Sequence, residues 1–318
     1  MANANDDVNR PWPQLPPKSK GPYVRLKESL SAPWARRPLK AVGLLALVVA
    51  ALIGVLAVVL FVTRTYSLDT ATYPGAIHRL TIDTDAGEVS VVGSDRADVL
   101  VLWQRRYSLI KPRVDRGVRD GALQLRSRCP GVSFRCAVVF GSQVPAATAT
   151  SIRTRSATVD VQDLGGPVDV TTQTGQVTLQ QVAAPVHIVT GSGPVSLAGL
   201  RGDLVVRTAS APIELRDLQG QAGLTTESGS ITGNALAVRA LMARTGSGWV
   251  TATFDAPPEH VDLRSASGQV SLQLPAGHYR LQLDAPAGQV HLNGVVNDPT
   301  APRTIKVSAG GGIALTSR

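Results

Sequence analysis

The side chains of this sequence that could do chemistry are few and scattered. No histidine has a second histidine or cysteine at metal-ligand spacing, and no GxSxG, HExxH or phosphate-binding GxxxxGK[ST] motif occurs. We therefore expect no metal, no cofactor and no catalytic residues, although a catalytic group assembled from distant residues stays open. The five histidines are His78, His187, His260, His278 and His291.

The two cysteines of the chain, Cys129 and Cys136, bracket the hexapeptide PGVSFR. A redox CxxC motif has a shorter gap than this. Two thiols this close predict a disulfide that closes a small loop, because the segment is expected to lie outside the reducing cytosol.

A basic segment surrounds the cysteines. Residues 104–136 contain nine Lys or Arg against Asp115 and Asp120, which gives a net charge of +7. Insertions in repetitive folds often form binding faces, so this segment predicts contact with anionic lipid headgroups or an anionic envelope polymer. The alternative is a solvated β-hairpin that covers the end of the domain. The cations proposed for the contact are Arg105, Arg106, Lys111, Arg113, Arg116, Arg119, Arg126 and Arg128.

A short repeat begins near residue 76: a small residue, any residue, then Val or Ile. The spacing from Ala157 to Gly229 is 18 residues four times running, followed by 19, 20, 20 and 23. Each period contains two apolar alternations with a small-residue corner between them, which is typical of two short strands. The sequence therefore predicts an all-β fold, a β-solenoid of about ten 18–20-residue coils over residues 76–318, with an insertion at about 95–150.

One threonine recurs in most coils at a fixed position. Flat threonine arrays on a solenoid resemble the face of ice-binding proteins, but an outward column here would bury the alternate residues Asp169 and Arg207 at high cost. We therefore expect the column to line the interior, with hydroxyls bonded to one another or to the turn backbone. Its members include Thr154, Thr172, Thr190, Thr208, Thr226 and Thr245.

Residues 41–62 contain no charged side chain. A helix of that length measures about 33 Å, enough to cross a bilayer, and the 40-residue leader is too long for a cleaved signal peptide. More Lys and Arg precede the segment than follow it, which predicts a single-pass signal anchor in the cytoplasmic membrane with the N-terminus inside. Residues 1–40 are then a disordered basic, Pro-containing cytoplasmic tail, residues 63–75 a linker, and the β-solenoid is extracytoplasmic.

The overall charge of +9 is concentrated beside this apolar segment, where residues 1–40 alone contribute +5 from eight cations and three carboxylates. Membrane topology accounts for a basic cluster in that position, so we expect no nucleic-acid partner.

Repeated SGxVxL and TGxVxL coils after a basic tail and one apolar helix resemble the bacterial putative-adhesin family of unknown function. The motifs that carry the resemblance are TGQVTL (174–179), SGPVSL (192–197), ESGSITG (227–233) and SGQVSL (267–272). The resemblance implies a β-solenoid and surface binding, and it brings no binding or catalytic residues.

We expect a non-enzymatic, membrane-anchored cell-surface protein that presents its β-solenoid for binding or scaffolding, with an envelope polymer, lipid headgroups or another surface protein as partner. Two other classes stay open. One is an envelope sensor or regulatory partner that signals to the cytoplasmic tail, and deletion of residues 1–40 would discriminate it. The other is an envelope hydrolase, which requires acids, histidines or a serine–histidine pair to converge on one face.

Overall fold

A computed structural model of the protein describes residues 46–55, 65–107, 110–129 and 136–318. Residues 46–55 are α-helical, and the β-domain begins at Thr65. Within these ranges, no helix has the length and hydrophobicity needed to cross a membrane. The predicted tail at 1–40 and the flanks of the predicted span, 41–45 and 56–62, lie outside the described residues.

The described part of the β-domain contains 24 strands. Their bounds are β1 Thr65–Tyr73, β2 Arg79–Thr84, β3 Gly87–Ser94, β4 Val99–Tyr107, β5 Arg113–Arg119, β6 Ala122–Arg128, β7 Ala137–Pro145, β8 Ala149–Thr154, β9 Thr158–Gln162, β10 Val168–Thr172, β11 Val177–Gln180, β12 Val186–Thr190, β13 Val195–Arg201, β14 Leu204–Thr208, β15 Ile213–Thr226, β16 Ile231–Thr245, β17 Val250–Phe254, β18 His260–Ser265, β19 Val270–Leu274, β20 His278–Asp284, β21 Val290–Asn293, β22 Val296–Asn297, β23 Thr304–Ala309 and β24 Ile313–Ser317.

The strands stack into two parallel columns, to each of which every coil contributes one strand. Column A contains, in spatial order, β6, β2, β8, β10, β12, β14, the second half of β15, the second half of β16, β18, β23 and β20. Column B contains β7, β3, β9, β11, β13, the first half of β15, the first half of β16, β17, β19, β24 and β21. The described residues thus form eleven coils around one apolar core. The all-β solenoid predicted from the repeat is confirmed.

Neither end of the stack follows chain order. The coil formed by β2 and β3 lies between the coil of β6 and β7 and the coil of β8 and β9. At the other end, the last coil of the sequence, β23 and β24, lies between β18–β19 and β20–β21. The first and last coils in sequence are therefore paired on both edges.

A buried hydroxyl closes the corner between the two columns in most coils. Oγ1 of Thr172 accepts a hydrogen bond from the Gly175 N–H at 3.0 Å. Thr208 and Thr226 also bond to each other at 3.0 Å. The column thus lies inside the solenoid, with its hydroxyls mainly bonded to the turn backbone. The same corner bond is made by half-buried Thr154 and by buried Thr190, Thr208, Thr226 and Thr245.

The small residue at this corner is required by the close approach of the next coil. A Cβ on Gly193 would lie 1.9 Å from the carbonyl oxygen of Gly175, and one on Gly229 would lie 1.9 Å from that of Ala211. The backbone at Gly193 and Gly229 is not left-handed, so conformational freedom is not the reason for glycine there.

A second corner, which the repeat motif does not reveal, has a left-handed residue every 18 positions. Asp163, Gln181, Gly199, Asp217 and Ala235 have φ values of 57°, 53°, 67°, 50° and 56°. Each turns the chain so that the following apolar side chain is buried, which makes a short third side that returns the chain to column A. These buried residues are Leu164, Val182, Leu200, Leu218 and Leu236.

Residues 63–75, predicted as a linker, contain a strand of the β-domain. β1 pairs antiparallel with β4, and β4 pairs antiparallel with β7, so both extend column B. The domain therefore begins at Thr65 and not at residue 76. The sequence pattern hides β1 because Ser67 and Asp69 take inward positions while Tyr66 and Leu68 point outward, the reverse of the usual alternation.

Residues 95–150, predicted as an insertion, are largely part of the solenoid. β6 and β7 form a complete coil at its N-terminal end, and β5 pairs antiparallel with β6, which matches the alternative of a hairpin that covers the end. The repeat motif misses this coil because the cysteine-bounded segment 129–136 replaces the small-residue corner between its strands.

Candidate functional site

All eight cations predicted to contact an anionic partner lie at the N-terminal end of the solenoid, on β4, β5, β6 and the β4–β5 connection. The structure brings them to one end but divides them by their contacts. Arg105, Arg116, Arg126 and Arg128 are engaged with other side chains of this end. The remaining four, Arg106, Lys111, Arg113 and Arg119, are exposed to solvent. The Arg106 guanidinium also donates to Gln104 Oε1 of the same strand, with its Nη2 at 3.1 Å, but it has no carboxylate partner there.

Arg105 joins the two strands that extend column B. Its guanidinium forms an ion pair with the Asp69 carboxylate, and its Nε donates a hydrogen bond to Ser67 Oγ at 2.9 Å. The Arg105 side chain is only 16% exposed. Its role is therefore to hold β1 on β4, and it explains why β1 has polar residues at inward positions.

Arg116 closes the open end of the core. Its guanidinium carbon lies 4.4 Å from the centroid of the Trp103 ring, within the range of a cation–π contact. Trp103 is 4% exposed and is the cross-strand partner of Phe140. Arg116 thus covers the aromatic layer that ends the core on this side.

Arg126 and Arg128 connect the coil of β6 and β7, at the N-terminal end of the stack, to the neighbouring coil of β2 and β3. The Nη1 and Nη2 atoms of Arg128 donate to the two Asp83 carboxylate oxygens at 2.8 and 2.6 Å, and Arg126 Nε lies 3.4 Å from Asp83 Oδ2. The hydrogen bond from Arg128 lowers the pKa of Asp83, and the same bond raises the pKa of Arg128. Both arginines therefore have a structural partner of opposite charge.

Cys129 and Cys136 form a disulfide that closes the connection between β6 and β7. The Cys129 N–H also donates to Asp85 Oδ2 at 3.0 Å, which connects the start of this segment to the coil of β2 and β3. Residues 130–135 lie outside the described residues.

Four apolar side chains are exposed at the same end of the solenoid as the four exposed cations. Those of β1 lie with Arg106 on the outward face of column B, whereas Arg113 and Arg119 lie on the outward face of column A. Tyr66 and Leu68 on β1 are 55% and 66% exposed, Ile110 is 43% exposed, and Val118 on β5 is 46% exposed. Tyr66 is the cross-strand partner of Arg106, so an aromatic ring and a cation share one face. We call these eight residues the N-terminal rim: Tyr66, Leu68, Arg106, Ile110, Lys111, Arg113, Val118 and Arg119. Sequence reasoning found the cations and missed the apolar members.

The opposite end of the solenoid also exposes apolar side chains, but without a surplus of positive charge. Val290 and Leu292 on β21 are 43% and 47% exposed, and Val296 on β22 is 52% exposed. The charged side chains of residues 278–303 are two cations and two carboxylates, namely Arg280, Arg303, Asp284 and Asp298. The two ends therefore offer different chemistry.

The outward face of column A has a shallow groove of about 360 Å³ between Pro167 and Pro185. Asp169 there faces Ser151 on one side and His187 on the other, with His187 Nδ1 3.6 Å from Asp169 Oδ1. A serine nucleophile needs a histidine as its direct neighbour, but here the carboxylate stands between them. Ser151 and His187 are two strand spacings apart, about 9.6 Å, so they do not make the pair that a serine hydrolase needs.

His187 and His291 lie on outward strand positions and are exposed to solvent. Within the residues that the structure describes, no group of three or more His, Cys, Asp or Glu side chains could hold a metal ion.

The coils stack in parallel into two columns, and buried hydroxyls hydrogen-bond to the backbone at their corners. These features define a repetitive β-solenoid. The chain belongs to the Toastrack DUF4097 family, whose model matches residues 75–301, and the resemblance to a putative-adhesin family is confirmed. No protein of curated function matches the chain.

Several solved structures are similar to the chain at low identity. One is a putative lipid binding protein from Parabacteroides distasonis, with 11% identity and a TM-score of 0.48 over 79% of this chain and 97% of that one. Another is a putative adhesin from Bacteroides fragilis, with 14% identity and a TM-score of 0.38 over 79% and 97% of the two chains. A third is a putative adhesin from Parabacteroides merdae, with 10% identity and a TM-score of 0.30 over 80% and 96%.

Proposed function

We propose that the protein is a non-enzymatic, adhesin-like surface protein that presents its β-solenoid for binding or scaffolding. The observation that carries this proposal is the pair of long outward strand faces. Each coil adds side chains in register with those of its neighbours, about 4.8 Å apart, so an extended partner meets the same kind of contact repeatedly.

Column B offers a face suited to such a partner. Most of its outward side chains are neutral hydrogen-bonding groups, while charged residues are more frequent on column A. Hydroxyls on column B include Ser90, Thr178, Ser196, Thr232, Thr251 and Ser271, and amides include Gln162, Gln180, Asn234 and Gln273. Such rows can donate and accept hydrogen bonds along a hydroxyl-rich or amide-rich polymer.

We propose that a membrane anchor holds this surface on the extracytoplasmic side of the cytoplasmic membrane. The apolar segment 41–62 and the basic residues before it support a single span with the N-terminus inside. The disulfide between Cys129 and Cys136 supports an oxidising compartment for the β-domain. Resistance of the chain to alkaline carbonate extraction, together with protease access to the β-domain from outside intact cells, tests this topology.

Crosslinking in intact cells tests the binding role. A photoreactive residue in place of exposed Ser271 samples column B, and one in place of exposed Arg207 samples column A. We expect an envelope component to be captured reproducibly at one of the two positions. Capture of no envelope component from either face would sink the proposal.

The same measurement repeated after deletion of residues 1–40 addresses the sensor alternative. Unchanged capture and an unchanged cellular phenotype would count against signalling through the tail.

A further inference from the structure

We propose that the N-terminal rim binds the surface of an anionic lipid bilayer. This inference rests on the proposed membrane anchoring, and it names the partner of the N-terminal end of the solenoid. Residues 65–129 contain ten Lys or Arg side chains against eight carboxylates, a net charge of +2. The surplus is concentrated in residues 104–128, which contain eight Lys or Arg side chains against Asp115 and Asp120.

The contacts inside this end decide which side chains face the lipid. Arg105, Arg126 and Arg128 neutralise Asp69 and Asp83, so their charges hold the fold together. Among the described residues, no carboxylate lies within salt-bridge distance of Arg106, Lys111, Arg113 or Arg119. These four cations therefore remain to attract an external anion.

The apolar members of the rim favour a lipid surface over a soluble anionic polymer. A polymer bound by charge needs cations and hydroxyls, and it gains little from Tyr66, Leu68 and Ile110, which are all more than two-fifths exposed. An interfacial surface combines cations for the headgroups with aromatic and aliphatic side chains at the boundary of the acyl chains. Tyr66 opposite Arg106 is such a combination within one strand pair.

The position of the rim in the chain agrees with this partner. β1 begins at Thr65, three residues after the apolar segment ends at Val62. Four residues of extended chain reach at most about 14 Å, so Tyr66 cannot be far from the end of the proposed span. Tyrosines are enriched at this depth of a membrane interface.

Hydrogen exchange of the full chain in liposomes tests the proposal. The chain is reconstituted into phosphatidylcholine alone or with phosphatidylglycerol added, and exchange is followed in peptides from β1, β5 and, as an internal reference, β21. Each cation near an anionic surface contributes roughly a fivefold factor in binding at low salt. We expect phosphatidylglycerol to slow exchange in β1 and β5 by on the order of tenfold or more, high salt to reverse this, and β21 to be unaffected.

Two variants that remove the same number of positive charges test whether the position of the charges at the rim matters, or only the total charge of the chain. Lys111→Gln/Arg113→Gln/Arg119→Gln should abolish the effect of phosphatidylglycerol. The same charge change in Arg201→Gln/Arg207→Gln/Arg216→Gln, at exposed positions away from the rim, should leave it intact. Unchanged exchange in the central strand β12 shows that each variant is folded.

Two further measurements distinguish a lipid bilayer from a soluble anionic polymer as the partner: substitution of Tyr66 and Leu68, and addition of a soluble polyanion. Tyr66→Ser/Leu68→Ser should weaken the protection by phosphatidylglycerol severalfold. Soluble polyphosphate added to phosphatidylcholine liposomes should not reproduce the protection. Equal exchange in both lipids, equal loss in the two charge variants, or full protection by polyphosphate would overturn the proposal.

Alkaline carbonate extraction tests the proposed membrane span independently of the rim. If alkaline carbonate releases the chain, the proposed membrane span is wrong, and the released chain can be given phosphatidylglycerol vesicles from outside. Protection of β1 and β5 by those vesicles would still support the rim, and its absence would overturn it.

Discussion

Replacing Thr172 by valine tests how the coil corner is stabilised. Thr172 is 4% exposed, and its Oγ1 accepts the Gly175 N–H at 3.0 Å. Valine has nearly the same shape but leaves this N–H without its acceptor in the interior, which costs about 1–3 kcal/mol. The additional methyl group offsets about 0.8 kcal/mol of that cost. We therefore expect the free energy of unfolding to fall by about 0.2–2 kcal/mol.

Serine at the same position separates the hydrogen bond from the packing. Thr172→Ser retains the oxygen, and Ser265 natively accepts the Gly268 N–H in this way at 2.9 Å. Because repeat coils can open locally, the sharpest assay is amide exchange of Gly175 in the full chain, with urea denaturation for the total free energy. Thr171→Val, at an exposed position of the same strand, is the control. The reasoning is refuted if Gly175 exchanges no faster in the valine variant than in the serine variant.

Three further perturbations test other parts of the solenoid. Gly193→Ala should lower stability to urea by about 1–3 kcal/mol, because its Cβ would lie 1.9 Å from the Gly175 carbonyl oxygen and the backbone must shift; wild-type stability would contradict this. Since Arg128 lowers the pKa of Asp83, this ion pair stabilises the fold above the ordinary carboxyl pKa of about 3.9 and loses its effect as the pH falls through the lowered pKa. Asp83→Asn should therefore cost at most about 1 kcal/mol near neutral pH, because the pair is partly exposed, and should flatten an acid titration followed by circular dichroism; an unchanged titration would argue against the pair. Deleting residues 304–318 should make amides of β20 exchange rapidly as well, because the deleted coil is its neighbour in column A; protection of β20 as in the intact chain would show that the coil order is different.

The middle of the solenoid was predictable because local pattern and spatial order coincide there. From Ala157 to Gly229 each coil repeats its neighbour at 18 residues, so the strand positions, the small corner and the buried threonines follow from periodicity and parity. The left-handed corner at Asp163 and Gln181 has no fixed residue type, and therefore a motif of letters does not show it.

The ends were not predictable because pairing there does not follow the chain. Nothing in the local sequence of β2 indicates that β6, more than 35 residues later, will pair with one of its edges while β8 pairs with the other. β1 is hidden for another reason. Its inward Asp69 is compensated by Arg105 on β4, and this compensation is a tertiary contact that strand alternation cannot show.

The candidate site was half predictable. Composition located the cations, since a cluster of like charge is visible in any sequence. Which of them are available is decided by partners far away in the chain, as Asp83 shows for Arg128. The exposed state of Tyr66 and Leu68 depends on the reversed alternation of β1, so the apolar half of the rim appears only in the structure.

The out-of-order coils at both ends determine where the length of the protein can change during evolution. Duplication of one 18-residue unit between β9 and β14 would add a coil whose neighbours already present matching registers, and the solenoid would lengthen by about 4.8 Å. A unit added after β24 would instead have to displace strands that are already paired on both edges. The number of central coils therefore sets the distance between the C-terminal end of the solenoid and the N-terminal rim, and it can change without altering either end.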